Sequence, residues 1–128
     1  MTRPETLTII LPLPPRVLSP NCPAGSAGGR FARAAAAKKY KRITSEIADA
    51  QQIDGAWQQA TVRADFYHKQ KRRRDDVNHL AMLKPAYDGL VESGVLADDD
   101  SRHLTTLPAT FGVDRENPRV ELHLTRLQ

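Results

Sequence analysis

The sequence has a single cysteine, Cys22, among its 128 residues, so no disulfide can form within the chain. A chain without internal disulfides is typical of a reducing compartment, which favours the cytosol. Cys22 lies in a segment rich in proline and glycine, and no neighbouring histidine is placed to activate its thiol. We therefore assign the thiol no catalytic role.

Long hydrophobic runs are also absent, because no stretch approaches the roughly 20 apolar residues needed to span a bilayer. The first residues, MTRPETLTIILPLPP, lack the basic region, apolar core and small-residue cleavage site of a signal peptide. We therefore expect a cytoplasmic protein with no membrane partner. The length, with 40% hydrophobic and 27% charged residues, predicts a single globular domain over residues 1–128.

Two common site signatures are missing as well. The glycine-rich segment PAGSAGGR has neither the lysine nor the strand-to-helix context of a phosphate-binding loop, and we expect no organic cofactor. His68, His79 and His103 do not fall at zinc-ligand spacing, and no cysteine pair accompanies them. A structural zinc site is therefore not expected, although His79 and His103 flank acidic residues and are candidates for substrate contact.

The charges that are present are concentrated in three places. The net charge is +4, and the acidic residues Asp98, Asp99 and Asp100 follow one another. Focused basic segments beside a focused acidic one favour anion binding around a metal site. The cations form two groups, which are Lys38, Lys39, Lys41 and Arg42, and then Arg63, Lys69, Lys71, Arg72, Arg73 and Arg74.

Hydrophobic periodicity predicts the first half of the fold. TLTIIL, residues 6–11, is typical of a strand, and residues 16–29 of a loop. A helix is predicted from Phe31 to Ile53, followed by a strand over residues 60–69 with its even-numbered residues on the core. The apolar face of that helix is predicted to hold Ala36, Tyr40, Ile43, Ile47 and Ala50.

The second half is predicted to hold a helix and two strands. Apolar residues keep helical phase from Leu80 to Val91 through Pro85, which predicts a kink or a helix restart with Pro85 in its first turn. HLTTLP and RVELHL are predicted strands, and the turn residues between them indicate a hairpin. The order β-α-β-α-β-β predicts an α/β (α+β) domain, a mixed sheet with two helices.

The predicted elements place acidic residues where sites are commonly built. Asp75 follows a strand and precedes a helix, and Asp99 follows that helix. Carboxylates suit Mg²⁺ or Mn²⁺, which can activate a phosphodiester for hydrolysis. Lys84 could place a positive charge at the transition state, while the neighbouring arginines hold flanking phosphates.

Simpler interpretations of the same residues stay open. RRRDD could be a solvated turn in which Asp75 or Asp76 caps a helix, and residues 98–100 could form an acidic loop tip. Lys84 and Asp88 are four residues apart and could form only a surface ion pair.

The segment RRRDDVNHLAMLKPAYDGLVESGVLADDDSRH resembles the signature region of the RusA family of Holliday-junction resolvases. In that family a basic run leads to Asp-x-Asp-Asn, then to a helix with a lysine and DGL, then to an acidic loop. The opening LPLPP followed by SPN is also similar to the family. The resemblance implies a Mg²⁺-dependent endonuclease, with Mn²⁺ as an alternative metal. It also implies a homodimer, a four-way DNA junction as substrate, and a bacterial or phage source.

Carried over by position, the resemblance implies Asp75, Lys84 and Asp99 as catalytic residues. The resemblance also implies Asp75 and Asp99 as metal ligands, with Asp98 as the neighbour of Asp99, and matches Asn78 to the asparagine of the family motif. Asp76 is a further candidate ligand, because it lies beside the position of the second family aspartate. The candidate DNA contacts are Asn78 and, from their charge, Lys69, Lys71, Arg72, Arg73 and Arg74.

One position departs from the family pattern. Val77 stands where the second aspartate of Asp-x-Asp is expected, and valine cannot ligate a metal. Either the adjacent Asp76 replaces it, or the site has fewer carboxylates, or the enzyme is weakened. The alternative function is therefore a weakened or inactive protein that binds junctions or other DNA.

Overall fold

The computed structural model describes residues 5–23, 25–53 and 55–127, which form one domain of three helices and a five-stranded mixed sheet. The predicted α/β class is confirmed. The elements in chain order are β1 (Thr6–Leu11), a 3₁₀ turn (Arg16–Leu18) inside the predicted loop, α1 (Ala27–Ala50), β2 (Ala60–His68), α2 (Asp76–Ala81), α3 (Lys84–Glu92), β3 (Leu104–Thr106), β4 (Thr110–Val113) and β5 (Arg119–Arg126).

β2 and β5 lie at the centre of the sheet. β5 pairs antiparallel with β1 on one side and with β2 on the other, so that Leu122 lies opposite both Ile9 and Ala64. The far edge of β2 pairs in parallel first with β3 and then with β4. The C-terminal end of β2, where the basic segment begins, is therefore supported on both sides.

One face of the sheet forms the core with α1 and α3. Strand residues of period two point to this face, and Ile9, Phe66 and Leu122 are fully buried there. Leu90 of α3 and Tyr40 of α1 belong to the same buried cluster. The opposite face carries mainly polar residues, most of them exposed or half-buried, with Asp65 buried among them.

The first helix begins earlier and ends earlier than predicted. It covers Ala27–Ala50 because the Ser26 hydroxyl accepts a hydrogen bond from the backbone of Gly29, which caps the helix. The predicted core residue Ala50 is exposed, and the buried positions are Tyr40, Thr44 and Ala48. Thr44 can be buried because its hydroxyl donates to the Tyr40 carbonyl oxygen at 2.9 Å.

Pro85 lies in the first turn of a new helix, as the restart alternative predicted. α2 ends at Ala81 and α3 begins at Lys84, so the proline ring meets no preceding turn of its own helix. Gly94, with a φ of +87°, follows the end of α3. Among the described residues, no helix is long and apolar enough to cross a membrane.

The predicted hairpin is wrong. β3 and β5 lie on opposite sides of β2, and residues 110–113, predicted as part of a turn, form β4. Gly112 lies within the predicted turn region, but in the structure it allows a close approach, because a Cβ at this position would lie 3.0 Å from the Tyr67 ring.

Gly89 allows α1 and α3 to pack closely. A Cβ at this position would lie 2.5 Å from the Lys41 carbonyl oxygen and 2.9 Å from Thr44 Cβ. We predict that Gly89→Ala lowers the free energy of unfolding by about 1–3 kcal/mol, because the helices must separate. Gly28→Ala in α1 is the control, since nothing lies within 4 Å of its added Cβ. Urea denaturation would measure both, and equal effects would contradict the close contact.

Candidate functional site

Lys84, the first residue of α3, contacts two carboxylates. Its ammonium nitrogen lies 2.9 Å from Asp88 Oδ1, one turn along the helix, and also donates to Asp99 Oδ2 in the following loop. The Lys84 side chain is 62% exposed, whereas that of Asp99 is only 12% exposed. Hydrogen bonds to Asp99 and Asp88 raise the pKa of Lys84, so its charge is retained at neutral pH. The structure thus brings together two of the three predicted catalytic residues.

The acidic loop, residues 97–103, carries a second set of contacts. Asp98 Oδ1 accepts a hydrogen bond from the Asp99 backbone N–H at 2.7 Å. Asp100 Oδ1 lies 2.7 Å from His103 Nδ1, and Arg102 donates to Asp100 Oδ2 at 3.0 Å. The hydrogen bonds from His103 and Arg102 hold the pKa of Asp100 well below its usual range. Asp100 is therefore an ionised carboxylate throughout the physiological range.

Asp75 begins α2. One of its carboxylate oxygens, Oδ1, accepts from the Asn78 backbone at 3.2 Å, and His79 Nδ1 donates to the Asp75 carbonyl oxygen at 2.8 Å. The helix-cap interpretation of Asp75 is therefore confirmed, and Asn78 takes part through its backbone N–H. The Asp75 side chain stays exposed, so capping does not prevent a further contact.

The two residues after Asp75 differ sharply. Asp76 Oδ1 accepts from the Ala109 backbone at 2.8 Å, across 33 residues, and so fixes α2 against the segment before β4. Val77 is 74% exposed. The Asp76 carboxylate thus already has a structural partner, and an aspartate at position 77 would meet solvent.

The predicted ligands are not all gathered at one place. Among the described residues, two groups of three carboxylate or histidine side chains have ligand atoms within 4.8 Å of one another. Asp98 belongs to the first group, with Asp100 and His103, while Asp75, Asp76 and Asp99 belong to neither. Asp100 and His103 were not predicted as ligands, although their spacing of three residues beside Asp98 was a visible signal.

The second group lies on the polar face of the sheet and was missed by sequence reasoning. Asp65, only 8% exposed, accepts from Arg63 at 3.0 Å and from the Thr110 hydroxyl at 2.6 Å. His123 Nε2 lies 3.1 Å from Asp65 and 3.2 Å from Glu121. Burial alone would raise the pKa of Asp65, but the hydrogen bonds from Arg63 and Thr110 lower it overall. These carboxylates have cationic partners, as Asp100 also has, and none of the three residues lies in the segment that resembles the RusA family. We therefore interpret this group as a structural ion-pair network.

The basic segment, residues 69–74, connects β2 to α2. Arg72 donates to the Gln70 side chain at 2.9 Å and Arg74 to the Gln70 carbonyl at 3.0 Å. No ion pair within the described residues includes any member of this segment. Burial and the nearby Arg72 charge lower the pKa of Arg74, although a guanidinium stays charged at any physiological pH. The segment therefore presents positive charge that an anion could neutralise.

No protein-family model matches the chain, and no curated protein matches its sequence. The resemblance to the RusA family therefore depends on the quoted motifs alone, and the residue roles that it implies stay predictions.

The Asp76–Ala109 hydrogen bond gives a stability prediction. We expect Asp76→Ala to lower the free energy of unfolding by about 1 kcal/mol, because the Ala109 N–H loses its acceptor. Asp76→Asn should lower the free energy of unfolding by less, since its amide oxygen can still accept the hydrogen bond from the Ala109 N–H. Val77→Ala, at an exposed neighbouring position, is the control, with a change within about 0.5 kcal/mol. Urea denaturation at pH 7 would measure all three, and a silent Asp76→Ala would show that this contact does not hold α2.

Proposed function

We propose that the protein is a metal-dependent endonuclease of the RusA type, which cleaves four-way DNA junctions as a homodimer. The observation that carries the proposal is the contact between Lys84 and Asp99. Both residues were matched to catalytic positions from separate parts of the motif, 15 residues apart. Their contact brings a cation and a carboxylate to one place, where they could act together in phosphodiester cleavage.

The acidic loop fits a divalent cation by its donor chemistry. Asp98, Asp100 and His103 offer two carboxylates and an imidazole within 4.8 Å of one another, and Asp99 lies between them in sequence. Carboxylate oxygens are the preferred ligands of Mg²⁺ and Mn²⁺. A bound divalent cation would supply Lewis-acid activation of the phosphodiester.

The chain's own residues would hold and polarise the DNA strand. Lys84 is exposed enough to meet a phosphate while Asp88 and Asp99 fix the position of its ammonium group. The basic segment would hold flanking phosphates, which position a strand without reading its sequence. A homodimer would provide two identical sites related by a two-fold axis, as paired cleavage of a junction needs.

The role of Asp76 bears on the missing aspartate at position 77. Because Asp76 accepts the Ala109 N–H, we favour a site with fewer carboxylates over a site in which Asp76 replaces the absent ligand. On this interpretation Asp76→Asn keeps most nicking activity.

The alternative is a junction-binding protein without nuclease activity. The observation that favours it is that Asp75 and Asp76 lie outside both groups of close ligand atoms. Both functions predict salt-sensitive DNA binding, and only metal-dependent nicking separates them.

We predict that Lys84→Ala lowers the rate of junction nicking in Mg²⁺ at least 100-fold and leaves junction affinity within about threefold, because the charge acts in the transition state. Asp99→Asn should behave similarly. Lys41→Ala is the control, since Lys41 is an exposed lysine paired with Glu92 at 3.7 Å. Single-turnover nicking and a gel-shift titration would measure the two quantities.

Two outcomes of this experiment would count against the proposal. Equal loss of affinity and rate in Lys84→Ala would make Lys84 a phosphate contact only. No nicking by the wild-type protein in Mg²⁺ or Mn²⁺, with junction binding intact, would replace the endonuclease by the binding protein.

A further inference from the structure

We propose that a cavity beside the basic segment binds one unpaired nucleotide of a DNA strand, with its base on the Phe111 ring and its phosphate at Arg72 and Arg74. The cavity has a volume of about 240 Å³ and lies where β4 meets the end of β2. The identification of the bound nucleotide as part of DNA rests on the proposed function. The pocket itself is supported by the residues that line it.

Phe111 is held as a rigid platform. Its ring stacks on the buried Phe66 ring, with a centroid distance of 5.6 Å and an interplanar angle of 21°. The His79 ring meets it edge-on at 4.9 Å. Phe111 is nevertheless 37% exposed, and the cavity is lined by this residue. An aromatic ring that is fixed by neighbours and still exposed offers a surface on which a base can stack.

The lining of the cavity is also cationic. It includes Arg72, Arg74 and Lys71, which have no carboxylate partner among the described residues. Arg72, Arg74 and His68 also line a second cavity of about 360 Å³. Two neighbouring cavities that share the same arginines suit successive phosphates of one strand.

The size of the cavity favours a nucleotide. Its volume is below the roughly 300–1,000 Å³ of pockets for drug-sized ligands, so a single base is a better match than a larger molecule. His68 lines both cavities, and its Nε2 is buried without a hydrogen-bond partner within the described residues. Burial and the Arg74 charge lower the pKa of His68 to about 4, so its ring is neutral at physiological pH and the positive charge of the lining comes from the arginines and Lys71.

Single-stranded pentanucleotides test the pocket without any cleavage. Fluorescence anisotropy would compare an oligothymidine with the same strand carrying an abasic site at its centre. We expect the wild-type protein to bind the complete strand about fivefold or more tightly than the abasic strand. Phe111→Leu should bind both strands with the same affinity, equal to the affinity of the wild-type protein for the abasic strand. Phe31→Leu is the matched control, because Phe31 is 81% exposed on α1, and it should discriminate as the wild type does.

A second variant covers the case in which Phe111→Leu does not fold. In Phe111→Trp the indole should keep the affinity, and its fluorescence should be quenched by the complete strand and not by the abasic strand. The native Trp57 is only 1% exposed and should not respond. Wild-type protein that binds both strands equally, or Phe111→Trp that shows no differential quenching, would overturn the proposal.

The same titrations separate this inference from the proposed function. Discrimination between the two strands without any junction nicking would support the pocket and count against the endonuclease. Junction nicking without discrimination would overturn the pocket alone. Arg72→Ala combined with Arg74→Ala should lower the affinity for the complete strand and for the abasic strand by the same factor, since the arginines contact phosphate. Unequal losses of affinity would contradict the assignment of these arginines as phosphate contacts.

Discussion

The ammonium group of Lys84 lies between Asp88 on its own helix and Asp99 on the acidic loop, and the candidate site depends on this arrangement. The helix-restart at Pro85 places Lys84 at the start of α3, facing the loop that follows the same helix. Since the lysine is 62% exposed, the ion pair contributes at most about 1 kcal/mol to stability. Its importance is that it fixes where a positive charge and a carboxylate meet.

The surrounding contacts hold the other parts of the site in place. Asp75 caps α2, and Asp76 fixes that helix to the segment before β4. The basic segment between β2 and α2 is therefore anchored at both ends, by a central strand and by a capped helix. A short charged segment with two fixed ends can present its cations at defined positions, which a free loop cannot do.

The sequence pattern predicted the elements whose signal is local. β1 matched at both ends, and the restart at Pro85 followed from the geometry of proline. Strand pairing is a long-range property, and alternation of apolar residues does not say whether β3 runs parallel to β2 or forms a hairpin with β5. The segment around Gly112 was predicted as a turn for the same reason, because Gly112 approaches Tyr67, which lies on a different strand.

The residues of the candidate site, like the elements of the fold, were predictable only where the signal is local in sequence. The motif selected Lys84 and Asp99, which do meet, but the Asp76–Ala109 hydrogen bond spans 33 residues and left no local signal. The network of Asp65, Glu121 and His123 likewise required the register of β2 and β5. Spacing in sequence thus identified candidate side chains. The hydrogen-bond and ion-pair partners of those side chains became visible only in the folded structure.

We propose that the acidic loop beside Lys84 holds the metal. The most direct measurement is a crystal structure of the protein soaked in Mn²⁺, with the metal located by its anomalous scattering. We predict manganese within about 2.1 Å of a carboxylate oxygen of Asp98, Asp99 or Asp100. Manganese bound only at Asp65, Glu121 and His123, or absent from the acidic loop at saturating concentration, would show that the acidic loop is not the metal site.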